Sequence, residues 1–330
     1  MHKNEIMTKK IILFIAVGLL IVLVIYMTKD LFFSRIPSGI NPYAYNLDSL
    51  MKKDSSRVAY REVKQIVPGV AEVSGISADM YGRIYISGKD GVEIFGEEGK
   101  LLKKFGINGT ALCIHTDGSG KIYLGVQDHV EVWSQAGKLL EKWAAAGEGS
   151  IITCIGTSGD FVFVADAGEK IVFRYNRSGE LSGRIGDKDP AQGIPGFIIP
   201  SPYFDLATGP DGTVWVVNPG RHSFEQFDPE GRMISTWGAA SMAVEGFCGC
   251  CNPSHFAFLS DGSFVTSEKG IERVKVYSPE GRFRCLVATP DQFEEGTRGL
   301  DLAIGRDDRI LVLDPVKKQI RIFIKNTIEQ

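Results

Sequence analysis

Apolar and polar residues alternate along most of the chain in runs too short for helices, and the runs recur. The phrase VEIFGEEGKLLKKFG begins at Val92, VEVWSQAGKLLEKW at Val130, IVFRYNRSGELSGRIG at Ile171, FEQFDPEGRMISTWG at Phe224 and VKVYSPEGRFRCLV at Val274. A shortened copy, IRIFIKN, begins at Ile320. Each full copy is an alternating strand, a glycine turn and another strand, the pattern of a β-hairpin. A second phrase precedes each one: ADMYGRIYIS, TDGSGKIYLG, TSGDFVFVAD, GPDGTVWVVN, LSDGSFVTSE and GRDDRILVLD. It supplies a strand end, a polar turn and a strand rich in β-branched and aromatic residues. Every unit therefore holds four short strands. The turn glycines Gly99, Gly137, Gly179, Gly231 and Gly281 stand 38, 42, 52 and 50 residues apart. Four-stranded repeats of that length predict an all-β chain, a six-bladed β-propeller over residues 57–330.

The sixth unit lacks its outer strand. The alternating segment RVAYREVKQIV, Arg57 to Val67, belongs to no unit. It is expected to supply the missing strand, tying the chain ends together and covering sheet edges.

The N-terminus departs from this pattern. IILFIAVGLLIVLVIYM, Ile11 to Met27, carries no charge. As a helix it would reach about 25 Å, the short end of what crosses a bilayer core of about 30 Å. The exit, YMTKDLFFSRIP, has neither a small-residue cleavage site nor a cysteine for a lipid anchor. The sequence thus predicts a retained transmembrane signal anchor over 11–27. Lys3, Lys9 and Lys10 precede it, which places residues 1–10 in the cytoplasm by the positive-inside rule. Residues 28–56 then form a linker, and the propeller lies outside the cytoplasmic membrane.

Composition adds one exclusion. The chain has 330 residues and a net charge of −3, without a basic run, so no nucleic-acid partner is expected. No phosphate loop, dinucleotide fingerprint or nucleophile elbow occurs either.

On VADAGEKIVFRYNRSGE and PDGTVWVVNPGRHSFEQFDPEGR the chain resembles the NHL-repeat family of six-bladed propellers, over roughly residues 57–330. The resemblance implies the fold. It leaves function open, since the family includes protein-binding, RNA-binding and enzymatic members. The aspartate typical after the family's second strand stands here only at Asp166 and Asp314, with Asn218 and Glu268 at matching places. Some propellers of this type are lyases on modified peptides with a metal in the central channel. Their set of channel histidines is not reproduced, and only His255 matches a channel position.

The candidate chemistry is concentrated in GFCGCCNPSH, Gly246 to His255. Half of the six cysteines lie here, at Cys248, Cys250 and Cys251. Connections from an outer strand to the next inner strand share one face of a propeller, so this loop belongs to that face. Alignment of the units places Val73, Ala111, Ile152, Asp205, His255 and Asp301 at equivalent inner-strand positions. Asp205, His255 and Asp301 should therefore approach one another near the axis, with His222 and Arg298 in loops of the same face. Two positions further on come Gly75, Cys113, Cys154, Ala207, Ala257 and Ala303, small residues suited to packing there. His115 reads as a hydrogen-bonded core histidine and His129 as an exposed loop residue.

Three chemistries remain open for the cysteine loop. In an oxidising compartment Cys248 could pair with Cys250, Cys251 or Cys285, or Cys250 with Cys251 as a strained redox switch. Zn or Cu could bind the thiolates with His255. An Fe–S cluster fits less well, because the leader has Lys9-Lys10 where export of a prefolded protein needs paired arginines. Haem c is excluded, since Asn252 follows the cysteines where its attachment motif requires histidine. The expected function is a binding or scaffold module with a protein partner in the cell envelope. The alternative is a metal-dependent redox accessory or lyase-like enzyme.

Overall fold

The computed structural model describes residues 2–33, 55–188, 196–249 and 251–326. Cys250 and most of the expected linker, residues 34–54, lie outside them. The chain divides into two units, Met1–Leu47 and Asp48–Gln330.

The first unit is a helix, α1, His2–Phe33. It runs well beyond the apolar segment at both ends. Its side chains are described continuously from Leu13 to Tyr26, and all are exposed. That stretch is about 21 Å long at 1.5 Å per residue. Among the described residues no helix is long and apolar enough to cross a membrane. The expectation of a spanning helix over 11–27 is to that extent not met.

The second unit is built of antiparallel sheets, five among the described residues. Four have four strands each. One joins Ile152–Ser158, Phe161–Asp166, Ile171–Asn176 and Leu181–Ile185. The next joins Leu206–Thr208, Val214–Asn218, Ser223–Phe227 and Met233–Gly238. Another holds His255–Phe258, Phe264–Ser267, Val274–Tyr277 and Phe283–Ala288. The last combines Asp301–Ile304, Ile310–Asp314 and Gln319–Lys325 with Tyr60–Ile66, which pairs from Tyr60↔Lys325 to Ile66↔Ile320.

The remaining sheet has six strands, and it corrects the expected count of six four-stranded blades to five sheets. The cause lies in two long strands. Ile84–Phe95 pairs with Ala71–Ala78 through its first half and with Leu101–Thr116 through its second. Leu101–Thr116 in turn leaves that partner at the Lys89↔Thr110 pair and joins Lys121–Val126 from Ala111 onward. The strands continue through these changes of partner across irregular positions, with Asp90 at φ +61° and Gly109 at φ +103°. The first two sequence units therefore share one hydrogen-bonded sheet, completed by His129–Ser134 and Leu139–Lys142.

The recurring glycine and the aromatic that closes several units are one device. Gly179 turns at φ +80°, and a Cβ there would meet Trp143 Nε1 of the preceding unit at 2.3 Å. Gly281, at φ +77°, stands in the same relation to Trp237, with 2.5 Å to Cδ2. Only glycine supplies both the left-handed turn and the room for the indole. Between the sheets the core is aromatic: Phe224, Trp237, Phe256, Phe264 and Tyr277 form one cluster, and Phe247 of the cysteine loop joins it fully buried.

Candidate functional site: the axial carboxylates and the cysteine loop

Six inner segments surround a central cavity of about 300 Å³. Its lining runs from Asp205 and Asp301, at the N-terminal ends of their strands, to Thr208, Phe258 and Ile304 at the C-terminal ends. Neighbouring inner segments are tied by side chains. Ser74 Oγ donates to Ala111 O at 2.5 Å, and Thr153 Oγ1 donates to Phe204 O at 2.6 Å. Asp205 Oδ2 accepts the N–H of Phe256 at 2.8 Å. Asp301 Oδ2 accepts that of Ile76 at 2.9 Å, while its Oδ1 accepts from Leu302. Two carboxylates are thus fixed at the axis by backbone donors, and each fastens its own strand to the next.

His255 stands between them. Its Nδ1 lies 3.5 Å from Asp301 Oδ1 and 3.7 Å from Asp205 Oδ2, and the side chain is 13 % exposed. These are ion-pair separations rather than hydrogen bonds. Burial disfavours the charged imidazole, but Asp205 and the Asp301 charge outweigh it and raise its pKa. Burial also pushes the Asp301 carboxyl up to about 6, with His255 pulling it down and Asp205 adding to the rise. A carboxyl and an imidazole, both with raised pKa, therefore share one buried point.

The cavity wall holds further titratable groups. Burial raises the thiols of Cys113 and Cys154, keeping them protonated. At the other end His115 Nε2 bonds Thr157 Oγ1 at 2.9 Å, and burial lowers its pKa to about 4, so it is neutral. His129 is corrected from an exposed loop residue to the first residue of a strand. Its side chain is 14 % exposed, 2.8 Å from Asp128 and 3.3 Å from Glu131.

The cysteine loop leads into the strand that His255 begins, and neither Cys248 nor Cys251 lines the cavity. Cys248 is a buried free thiol, and Cys285 is also free, so of the alternatives open from sequence the Cys248–Cys285 bond is not formed here. Burial raises the Cys248 thiol, with Glu268 adding to the rise and Arg273 and Lys275 opposing it. Cys251 is buried too. Asn252 clasps the loop, with Nδ2 donating to Cys248 O at 2.7 Å and to Lys269 O at 2.9 Å. His222 bonds Asn252 O through Nδ1 at 2.8 Å. Among the described residues no group of three or more His, Cys, Asp or Glu side chains is arranged to hold a metal ion. Cys250, one of the candidate ligands of the loop, lies outside the described residues.

Several residues at this site carried no sequence signal as functional groups. Tyr203 meets the His255 ring edge-on, with centroids 6.0 Å apart. Lys269 Nζ sits 4.5 Å above the Tyr203 ring and donates to Ser201 Oγ at 2.9 Å. Burial raises the Tyr203 phenol, the Arg298 charge opposes this and Cys251 adds to it, which places Arg298 and Cys251 around the same ring. Beneath the loop Lys275 is fully buried. Its Nζ donates to Gly246 O at 2.7 Å and Val244 O at 3.2 Å, and it pairs with Glu268 at 3.1 Å. Burial lowers its pKa to about 8, against the attraction of Glu268. Arg273 completes the network on Glu268 at 2.8 Å. The run EKGIERVKVY, Glu268 to Tyr277, is a legible hint, because it brings five charges into a segment that is otherwise strand.

The positions that match the family aspartate are structural. Asp166 Oδ1 accepts the N–H groups of Ile151, Gly168 and Glu169, and Asp314 Oδ1 those of Val316 and Lys317. Asn218 accepts from Ile198 and donates to Glu225. Each fastens a loop to the second strand of its unit.

Neither a protein-family model nor a curated protein sequence matches the chain. Solved structures do. A streptogramin B lyase matches with a TM-score of 0.59 at 10 % identity, over 81 % of this chain and 98 % of that one. A virginiamycin B lyase from Staphylococcus aureus matches with a TM-score of 0.53 at 12 % identity, over 77 % of this chain and 81 % of that one. The WD40 propeller domain of Doa1 matches with a TM-score of 0.54 at 14 % identity, over 77 % and 79 %. The chain has the β-propeller fold. At such identities the likeness extends to the fold alone.

Proposed function

We propose that the chain is a propeller held at the cytoplasmic membrane by α1 and displayed outside it, serving an envelope assembly as a binding module. The observation that carries the binding reading is the axial cavity. Its polar end is built from Asp205 and Asp301, both anchored by backbone N–H groups of neighbouring strands. A rigid recess with a few fixed polar groups is what recognition requires. The face around Tyr203, Lys269, Arg298 and the cysteine loop is where a protein partner would dock. Anchorage rests on the exposed apolar residues from Leu13 to Tyr26 and on the uncharged run Ile11 to Met27.

The test has two parts. Full-length protein should stay with membranes through an alkaline wash, and protease added to spheroplasts should remove the propeller. Release by the wash would reject the anchor. Site-specific photocrosslinking at Arg298 should then give one dominant adduct in cells, while a position on the opposite turns, such as Gly118, gives none. Equal labelling from both positions would reject the docking face.

A second reading is supported by one observation, the pairing of His255 with a carboxyl that titrates near 6. Such a pair can take a proton from one atom of a substrate and return it to another, as a lyase-type elimination requires. This reading needs turnover that Asp301→Asn abolishes while binding persists.

A further inference from the structure

The cavity is selective in charge. Its lining holds two carboxylic side chains, Asp205 and Asp301, while His115 is neutral and the Cys113 and Cys154 thiols are protonated. No lysine or arginine lines it. The imidazole of His255 is not part of the lining, lies within ion-pair distance of both carboxylates and balances one of the two charges. A net negative end remains.

Asp205 is also incompletely satisfied. It is 5 % exposed, its Oδ2 takes the Phe256 N–H, and its Oδ1 accepts no hydrogen bond from the described residues. The nearby Cys154 thiol donates instead to Leu206 O at 3.2 Å. A carboxylate oxygen has room for more than one donor, so Asp205 can accept a further hydrogen bond from a group in the cavity. The walls leading to it combine polar groups, Ser77, His115, Thr153 and Thr208, with a stretch of small and aliphatic residues. Ala78, Gly156, Ala207, Ala257 and Ala303 leave the lumen open, and Ile76, Ile155 and Leu302 surface it.

We propose that the axial cavity binds a primary alkylammonium group, its nitrogen donating to Asp205 and Asp301 and its methylene chain lying along the aliphatic stretch. An ammonium offers three donors and one positive charge, which match two carboxylates that share a single imidazolium. A carboxylate or phosphate would face the same charges as repulsion. A bulky quaternary ammonium would lack the donors. The inference rests on the reading of the propeller as a binding module, but not on its membrane anchor or docking face.

The test is calorimetric titration of the full chain in detergent micelles with n-butylammonium chloride, against sodium butyrate at equal ionic strength. Saturable binding of butylammonium alone is expected. Asp205→Asn and Asp301→Asn should each weaken it at least tenfold. Both variants keep an oxygen acceptor for the Phe256 or Ile76 N–H, so the ring stays closed. Ala257→Leu, which fills the lumen without touching the charges, should abolish binding. Equal binding of butyrate, or affinity unchanged in both asparagine variants, overturns the proposal. Two further probes separate the sources of such a group: butane-1,4-diamine for a free amine, and Nα-acetyl-lysine amide for a protein side chain. Tighter binding of either supports the site and names its source, and failure of both overturns it. Fractionation and crosslinking read the anchor and the docking face separately, so the two failures are distinguishable.

Discussion

The carboxylate of Asp301 accepts the backbone N–H of Ile76 at 2.9 Å, joining residues 225 positions apart. The outer edge of the same sheet is closed by Tyr60–Ile66 pairing with Gln319–Lys325. The propeller is therefore locked twice at one place, once by a strand and once by a side chain on the axis. Asp301→Ala leaves a buried N–H without an acceptor, and should cost about 1–3 kcal/mol in urea unfolding. Asp301→Asn should cost clearly less. Equal losses would show that the charge, not the acceptor, matters.

The same residue predicts a pH dependence. Its carboxyl is raised from 3.8 to about 6 in the folded chain. Between those values the folded state holds a proton that the unfolded state has released, so this contribution to stability is full below about pH 4 and is lost as pH rises through about 6. Wild type should fall relative to Asp301→Asn across that window by an amount on the order of 3 kcal/mol. His255, also raised, acts in the same sense at higher pH. Parallel stability curves for the two proteins between pH 4 and 7 would contradict the assignment.

The glycine–aromatic contact gives a sharper test. Gly179→Ala must adopt a left-handed turn and push a methyl group into Trp143. We expect a loss of about 2 kcal/mol or more, with a change in tryptophan fluorescence. Gly118→Ala is the control, since a Cβ there meets nothing within 4 Å. It should change stability by less than about 0.5 kcal/mol.

Much of this architecture could be read from the alternation and its repeats, and the reasons for the remainder are physical. Alternation marks a position as polar without saying what covers it. Glu93, Glu131, Glu225, Lys275 and Arg321 occupy the same place in the hairpin phrase, and all are buried. Three of them fasten loops: Glu93 accepts the N–H of Gly69, Lys275 donates to Gly246 O and Arg321 donates to Gln292 O. The approach of Asp205, His255 and Asp301 was legible because equivalent strand positions converge on one axis. The partner change within Ile84–Phe95 and Leu101–Thr116 was not, because glycine-rich stretches at 88–91 and 106–109 read as turns between units, whereas the strands run on through them with single left-handed residues at Asp90 and Gly109. Nor could sequence spacing show that Cys248 faces Glu268, Arg273 and Lys275 rather than the channel.

That last placement makes the loop's stability depend on a lysine. Lys275 is the donor to two loop carbonyls and a partner of buried Glu268. Lys275→Met keeps most of the volume but removes both donations, and it leaves Glu268 with Arg273 alone. Taking one partner from a buried ionic network costs about 3 kcal/mol or more. The loop should loosen before the propeller unfolds, because its Val244 and Gly246 carbonyls lose their buried donor, leaving Phe247 and the Asn252 clasp to hold it. Native-state alkylation with peptide mapping reads this directly. In wild type, Cys248 is expected to stay unmodified until denaturant is added and then to label without prior reduction. In Lys275→Met it should label in native buffer, while Cys113, protected by the inner strands, does not. Labelling of Cys248 at the same slow rate in both proteins would mean that the lysine does not hold the loop. Labelling of wild-type Cys248 only after reduction would mean that its thiol is paired in the cell.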